Sequence, residues 1–187
     1  MIILLGFPKS GTTSFHQLFL DIGLNSIHWT YKNNYIGLMI QKNKNSKLPL
    51  LTGFEKINAI TQMDICISKN KSYWPQLVDY KQLYEENKNA IFILNKRTPE
   101  KILDSFKNWF NLYTRFNNYS PEFIENKTEK DFIEFVKKHY ENVETFFNSI
   151  PNAKFISYDI DIDNIQKLNK YIDLKNITSL PHKNHKK

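Results

Sequence analysis

Residues 2–5, Ile-Ile-Leu-Leu, form an apolar run of strand length that passes through "GFPKSG" (6–11) into Phe15, Leu18, Phe19 and Ile22, spaced as on one face of a helix. A strand that turns directly into an amphipathic helix commits the chain to an α/β arrangement, because that helix buries its apolar stripe by packing back on the sheet that holds the strand. The same turn aims backbone N–H groups and the positive end of the helix dipole at one point, which suits an anion. Gly6 and Gly11 permit the tight path and Lys9 adds a point charge. Ser10, Thr12, Thr13 and Ser14 add hydroxyls around the first helical turn. Capping that helix needs one hydroxyl. The block Pro-Lys-Ser-Gly-Thr-Thr supplies more than capping requires.

Further along, residues 24–30 are expected as a second strand and 35–40 as part of a helix. Trp74-Pro75 opens a helix that carries Leu77, Tyr80 and Tyr84 and runs to about residue 85. The run "AIFIL" (90–94) is the most strand-like in the chain. Pro99 opens a helix over 102–116, and a longer one is expected over 129–148, with Phe132, Phe135, Val136, Tyr140, Val143 and Phe147 as its apolar stripe. A strand at 153–159 and a final helix at 165–172 complete the reading. Strands alternating with helices predict a parallel sheet covered on both faces. At 187 residues with 41% hydrophobic and 14% aromatic content, the chain has enough apolar mass for one domain over 1–187.

Charge and cysteine content narrow the function classes. The net charge of +7 suits an anionic ligand, but the lysines are scattered among asparagines without a block of five or more, so nucleic acid is not the expected partner. A single cysteine, Cys66, forms no intramolecular disulfide, and no Cys/His cluster has metal-ligand spacing, so no structural metal is expected. No run of 18 apolar residues occurs, and the expectation is a soluble, cytoplasmic protein with no membrane partner. The glycosylation-like triplets at Asn118, Asn126 and Asn176 are what an Asn-rich chain produces by chance.

The ATP-binding pattern G-x-x-x-x-G-K-[ST] fails here, because Thr12 stands where its lysine belongs. Instead "FPKSGTTS" (7–14) resembles the 5′-phosphosulfate loop of the sulfotransferases that use 3′-phosphoadenosine 5′-phosphosulfate (PAPS) as donor. A second motif strengthens the resemblance. "AIFILNKRTPEKILDSF" (90–106) supplies Arg97, Pro99 and Ser105 at the spacing with which that family grips the donor's 3′-phosphate. The resemblance implies a P-loop nucleotide-binding fold, three-layered, with a central parallel sheet flanked by helices. It further implies that Lys9 neutralises charge on the leaving phosphate, and that Ser10, Gly11, Thr12, Thr13 and Ser14 surround the 5′-phosphate. Arg97 and Ser105 would hold the 3′-phosphate, with 3′-phosphoadenosine 5′-phosphate (PAP) as product and no metal. Asp64 before the helix at Trp74, His139 in the long helix and "LPHKN" (180–184) also match small members of the family.

There are departures. Many members carry a catalytic histidine in the segment corresponding to "TQMDICISKNKSYWP" (61–75), which has none. Asp64 and His28 are therefore the candidate bases for an acceptor hydroxyl or amine, with Asp64 placed first. The Arg-Lys-Gly segment of many relatives is missing, and Lys183, Lys186 or Lys187 could stand in. "FISYD", ending in Asp159, imitates the metal-side strand of ATP-binding proteins, but without the Gly-Lys-Thr order magnesium is not expected. Tyr31, Tyr35, Trp74, Trp109 and Tyr113 are read as core rather than as an acceptor pocket. The resemblance implies a small-molecule or glycan acceptor. The rival readings are a sulfotransferase-like nucleotide-binding protein without turnover and a small P-loop kinase.

Overall fold

The computed structural model describes residues 1–181. Its centre is a five-stranded sheet in which every pairing is parallel. The strands are β1 (Ile2–Leu4), β2 (Ser26–Ile27), β5 (Ala59–Ile60), β8 (Ile91–Lys96) and β9 (Phe155–Asp159), in the order β2-β5-β1-β8-β9. Two short antiparallel hairpins flank it: β3 (Thr30–Tyr31) with β4 (Asn34–Tyr35), and β6 (Ile65–Ser68) with β7 (Lys71–Tyr73). The helices are α1 (Thr12–Asp21), α2 (Ile36–Asn45), α3 (Pro75–Val78), α4 (Tyr80–Glu86), α5 (Pro99–Lys107), α6 (Leu112–Tyr119) and α7 (Glu129–Asn148).

Alternation along the strands sorts the core into two layers. Ile2, Leu4 and Ile93 point to the face covered by Phe15, Leu18 and Phe19 of α1 and by the 3-10 segment Ile165–Lys170. Ile3, Leu5, Phe92 and Leu94 point to the other face, covered by apolar residues from α2 through α7. The result is the expected α/β arrangement, a parallel sheet flanked by helices. No helix of the described residues is long and apolar enough to cross a membrane.

Several elements differ from the sequence reading, each for a local reason. The helix expected over 102–116 is two helices, because Phe110 and Asn111 adopt left-handed backbone with φ of 45° and 53°. The helix expected from Trp74 divides into α3 and α4 at Asp79. The last expected helix is a 3-10 segment, and the strand expected over 24–30 shrinks to Ser26–Ile27. Trp74 is buried, as read, but Trp109 is 40% exposed and half-buried Tyr31, Tyr35 and Tyr113 lie at the margins rather than in the core. His139 is buried, its Nε2 donating to Leu5 O at 2.9 Å while its ring packs on Phe7, so it braces the end of β1. Of the tail residues singled out in the sequence, His182, Lys183, Asn184, Lys186 and Lys187 lie outside the described residues.

One glycine is fixed by close approach. A Cβ on Gly6 would lie 2.1 Å from the backbone oxygen of Asn95, so the loop after β1 can run against β8 only without a side chain there. Gly6→Ala should cost about 3 kcal/mol of stability, since backbone rather than a flexible side chain must give way. Urea denaturation checks this, and an unchanged midpoint would contradict the packing described.

Candidate functional site

In an open α/β sheet, ligands bind outside the carboxyl ends of the strands, where the chain switches from building one half of the sheet to building the other. Here β1 is that strand, with β5 and β2 on one side and β8 and β9 on the other. A cleft of about 1120 Å³ opens at this edge.

The loop after β1 forms its floor. Lys9 and Gly11 are both left-handed, with φ of 73° and 79°, and α1 begins with no side-chain cap and no acidic residue in its first turn. Its first-turn amides, which have no intrahelical acceptor, therefore begin at the cleft, whose lining includes Gly11, Thr12, Thr13 and Ser14. Ser10 is different. Fully buried, it donates its hydroxyl to Phe7 O at 2.5 Å and accepts from Asn95 Nδ2 at 2.6 Å, so that side chain shapes the loop from within. Thr12 donates to Gln62 Oε1 at 3.1 Å. Lys9 Nζ sits 3.6 Å above the ring of Trp109, an arrangement that holds a cation at the cleft.

Arg97 closes the same floor from the end of β8. One terminal nitrogen donates to Lys9 O at 3.0 Å and to Ser105 Oγ at 3.1 Å, the Ser105 side chain reaching back from the second turn of α5. Its buried Nε has no hydrogen-bond partner among the described residues. Arg97, Ser105 and the Lys9 loop, separated by nearly 90 residues in sequence, are thus one constellation.

His28 and Asp64 line the other side of the cleft, beyond β2 and β5. Thr61 spends its hydroxyl proton on Ile27 O, at 3.1 Å, so it accepts from His28 Nδ1, at 3.0 Å. That fixes the neutral tautomer with the proton on Nδ1 and leaves the Nε2 lone pair toward Thr13 Oγ1, at 3.4 Å. Burial, the stacked His16 and the nearby Lys9 charge together lower the His28 pKa to about 4, so the ring stays neutral. Asp64 is buried, and burial raises its pKa to about 6 against the opposing hydrogen bonds from Gln62 and Gln76. Gln62 Nε2 donates to its Oδ2 at 3.3 Å and Gln76 Nε2 to its Oδ1 at 3.1 Å. The sequence singled out neither glutamine, because a lone amide has no pattern. A carboxylate that is ionised near neutral pH yet holds a proton slightly below it is poised for proton transfer.

Asp159 is turned to local use, accepting from the amide of Asp161 at 2.9 Å. Among the described residues no group of three or more His, Cys, Asp or Glu side chains is placed to hold a metal ion.

Comparison with known protein families carries the decisive observation. The model of the Sulfotransferase domain family matches residues 1–123, well over half of the chain. The chain belongs to the sulfotransferase domain family. The matched residues of this sulfotransferase-family protein contain the Lys9 loop, His28, Asp64, Arg97 and Ser105. A comparison with curated proteins finds no match. Two residues of the family member that shape or line the cleft were not singled out in the sequence. Asn95 is buried on β8 and bonds to Gly6 and Ser10 beneath the loop, and Arg115, on α6, lines the cleft. An arginine on an otherwise lysine-rich chain was the available signal.

Proposed function

We propose that this protein is a sulfotransferase with a P-loop-type nucleotide site, moving a sulfuryl group from PAPS to a hydroxyl or amine of a small molecule or glycan. The observation that carries the reading is the joining of Arg97, Ser105 and the Lys9 backbone in one hydrogen-bonded group beside an uncapped helix start. A nucleotide with phosphates at both 3′ and 5′ positions fits two separated anion sites better than one with a single chain of phosphates. Among the described residues the Arg97 Nε has no hydrogen-bond partner and the guanidinium forms no ion pair, which supports a second anion beside it.

Bound there, PAPS supplies the sulfuryl group and PAP is released. The protein's own residues do the rest. The α1 amides with Thr12, Thr13 and Ser14 hold the 5′-phosphate end, and Arg97 with Ser105 holds the 3′-phosphate. Lys9 offsets the negative charge that grows on the leaving oxygen, a contribution of position and electrostatics that needs no metal ligand from the chain. Asp64 takes the acceptor proton, with neutral His28 presenting Nε2 as the second acceptor at the same wall.

Nucleotide preference is the direct test. By titration calorimetry PAP should bind at least ~10-fold more tightly than ADP, since a charge-assisted grip on one added phosphate is worth roughly 1.5–3 kcal/mol. ATP with magnesium serves as the kinase comparison. Equal affinity for PAP and ADP would remove the role given to Arg97 and Ser105.

A further inference from the structure

The chain has 24 lysines and two arginines, Arg97 and Arg115, and both arginines line the same cleft. They are held alike. Arg115, on α6, donates a terminal nitrogen to Cys66 O at 2.6 Å, as Arg97 does to Lys9 O, and its buried Nε likewise has no hydrogen-bond partner among the described residues. Neither arginine forms an ion pair with a carboxylate among the described residues. Cys66 offers no charge, since burial pushes its thiol up to about 11. Four acidic side chains line the cleft: Asp161 pairs with Lys101, Asp163 pairs with Lys167, Asp64 is held by two glutamine amides, and Asp104 forms no ion pair with either arginine among the described residues. A partly buried guanidinium with one nitrogen anchored and no counter-ion is a costly arrangement unless an anion completes it.

The carbonyl that anchors Arg115 belongs to Cys66, two residues beyond Asp64, so Arg115 stands on the wall of the candidate base rather than on the Lys9 and Arg97 floor. The same cleft lining includes the apolar side chains Ile67, Leu112, Trp109 and Phe110, and a planar guanidinium fork binds carboxylate or phosphate with directed paired bonds. At about 1120 Å³ the cleft exceeds what one drug-sized ligand needs.

We propose that Arg115 forms the recognition subsite for the acceptor, and that the acceptor carries an anionic group, carboxylate or phosphate class, beside the hydroxyl or amine to be modified. The proposal rests on the sulfotransferase reading for the word acceptor, and on the cleft alone for the anion. The subsite is tested by calorimetry on PAP-saturated protein with matched probes: 4-hydroxyphenylacetate against its neutral amide, and a methyl hexuronoside against the methyl hexoside. The carboxylate member of at least one pair should bind about 10-fold more tightly, and Arg115→Gln should bring that ratio toward one while PAP affinity stays within twofold of wild type. Arg115→Lys, which keeps the charge and loses the fork, should fall between.

A ratio near one in both pairs, or no binding by any probe, overturns the anionic subsite. A loss of PAP affinity in Arg115→Gln with the ratio unchanged overturns it too, assigning Arg115 to the nucleotide. Failure of PAP to bind wild type defeats the sulfotransferase reading instead. The same carboxylate titrations run without nucleotide, with the same two outcomes, then still decide the subsite.

Discussion

Replacing Lys9 with alanine should lower kcat about 100- to 1000-fold while PAP binds nearly as tightly as before, the scale on which removal of one preorganised charge donor acts. The α1 amides and Arg97 remain in place to hold the product nucleotide, so what is lost is stabilisation felt only as charge develops on the leaving oxygen. Arg97→Ala should do the opposite, raising the donor KM with a smaller effect on kcat, because Arg97 grips a group whose charge does not change during transfer. Its bond to Lys9 O adds a modest loss through the loop. Steady-state kinetics with varied PAPS separates the two. If both variants keep wild-type donor kinetics, neither side chain meets the donor and the proposed activity is not located in this cleft.

Asp64→Asn should abolish most transfer, by about 100-fold or more, and leave PAP affinity intact. The pH dependence carries the sharper signature. Transfer requires the ionised carboxylate, so wild-type kcat should rise with pH through about 6 and then level, and this limb should be missing from the residual activity of Asp64→Asn. The stability of the fold should run the other way. A folded-state pKa raised above the ordinary 3.8 means that the folded protein binds the proton more tightly than the unfolded chain between those values. Asp64 therefore adds stability at low pH that is lost as pH rises through about 6, and at neutral pH its buried charge is a net cost. Asp64→Asn should consequently melt at pH 7 no lower than wild type. A variant that loses transfer and also melts well below wild type would make Asp64 a structural residue. His28→Gln should have the milder effect on rate.

What the sequence revealed of the fold tracks how much apolar periodicity each element carries. Strands β1, β8 and β9 and helices α1 and α7 were legible because each presents an apolar run or stripe. Strand β5 was not, since its two residues, Ala59 and Ile60, are shorter than any pattern, though they sit between β2 and β1. The hairpins β3–β4 and β6–β7 were missed because Lys32-Asn33 and Lys69-Asn70 turns lack the glycine that usually announces them, even though Lys32 and Asn33 take positive φ. The break at Phe110 and Asn111 likewise has neither glycine nor proline to mark it.

At the site the division is different. Lys9, Gly11, Thr12, Thr13, Arg97 and Ser105 were legible because each belongs to a block of residues at fixed spacing. The wall was legible only as isolated candidates, Asp64 and His28. Their partners Thr61, Gln62 and Gln76 are set by folding across strands, and nothing local in the chain foretells that Thr61 fixes the histidine tautomer.

Asn95 has a consequence of another kind. Completely buried, it binds the Gly6 amide through Oδ1 and both the carbonyl and hydroxyl of Ser10 through Nδ2, and it lies on β8 two residues before Arg97, which follows the strand's end. One side chain thus ties the Lys9 loop to the strand that leads into Arg97. The entropy of ordering a glycine-containing loop is lost during folding rather than at each encounter with a nucleotide, so little of the binding free energy is diverted to reshaping the cradle. On the proposed sulfotransferase reading, donor affinity is then set by charge and fit more than by loop mobility.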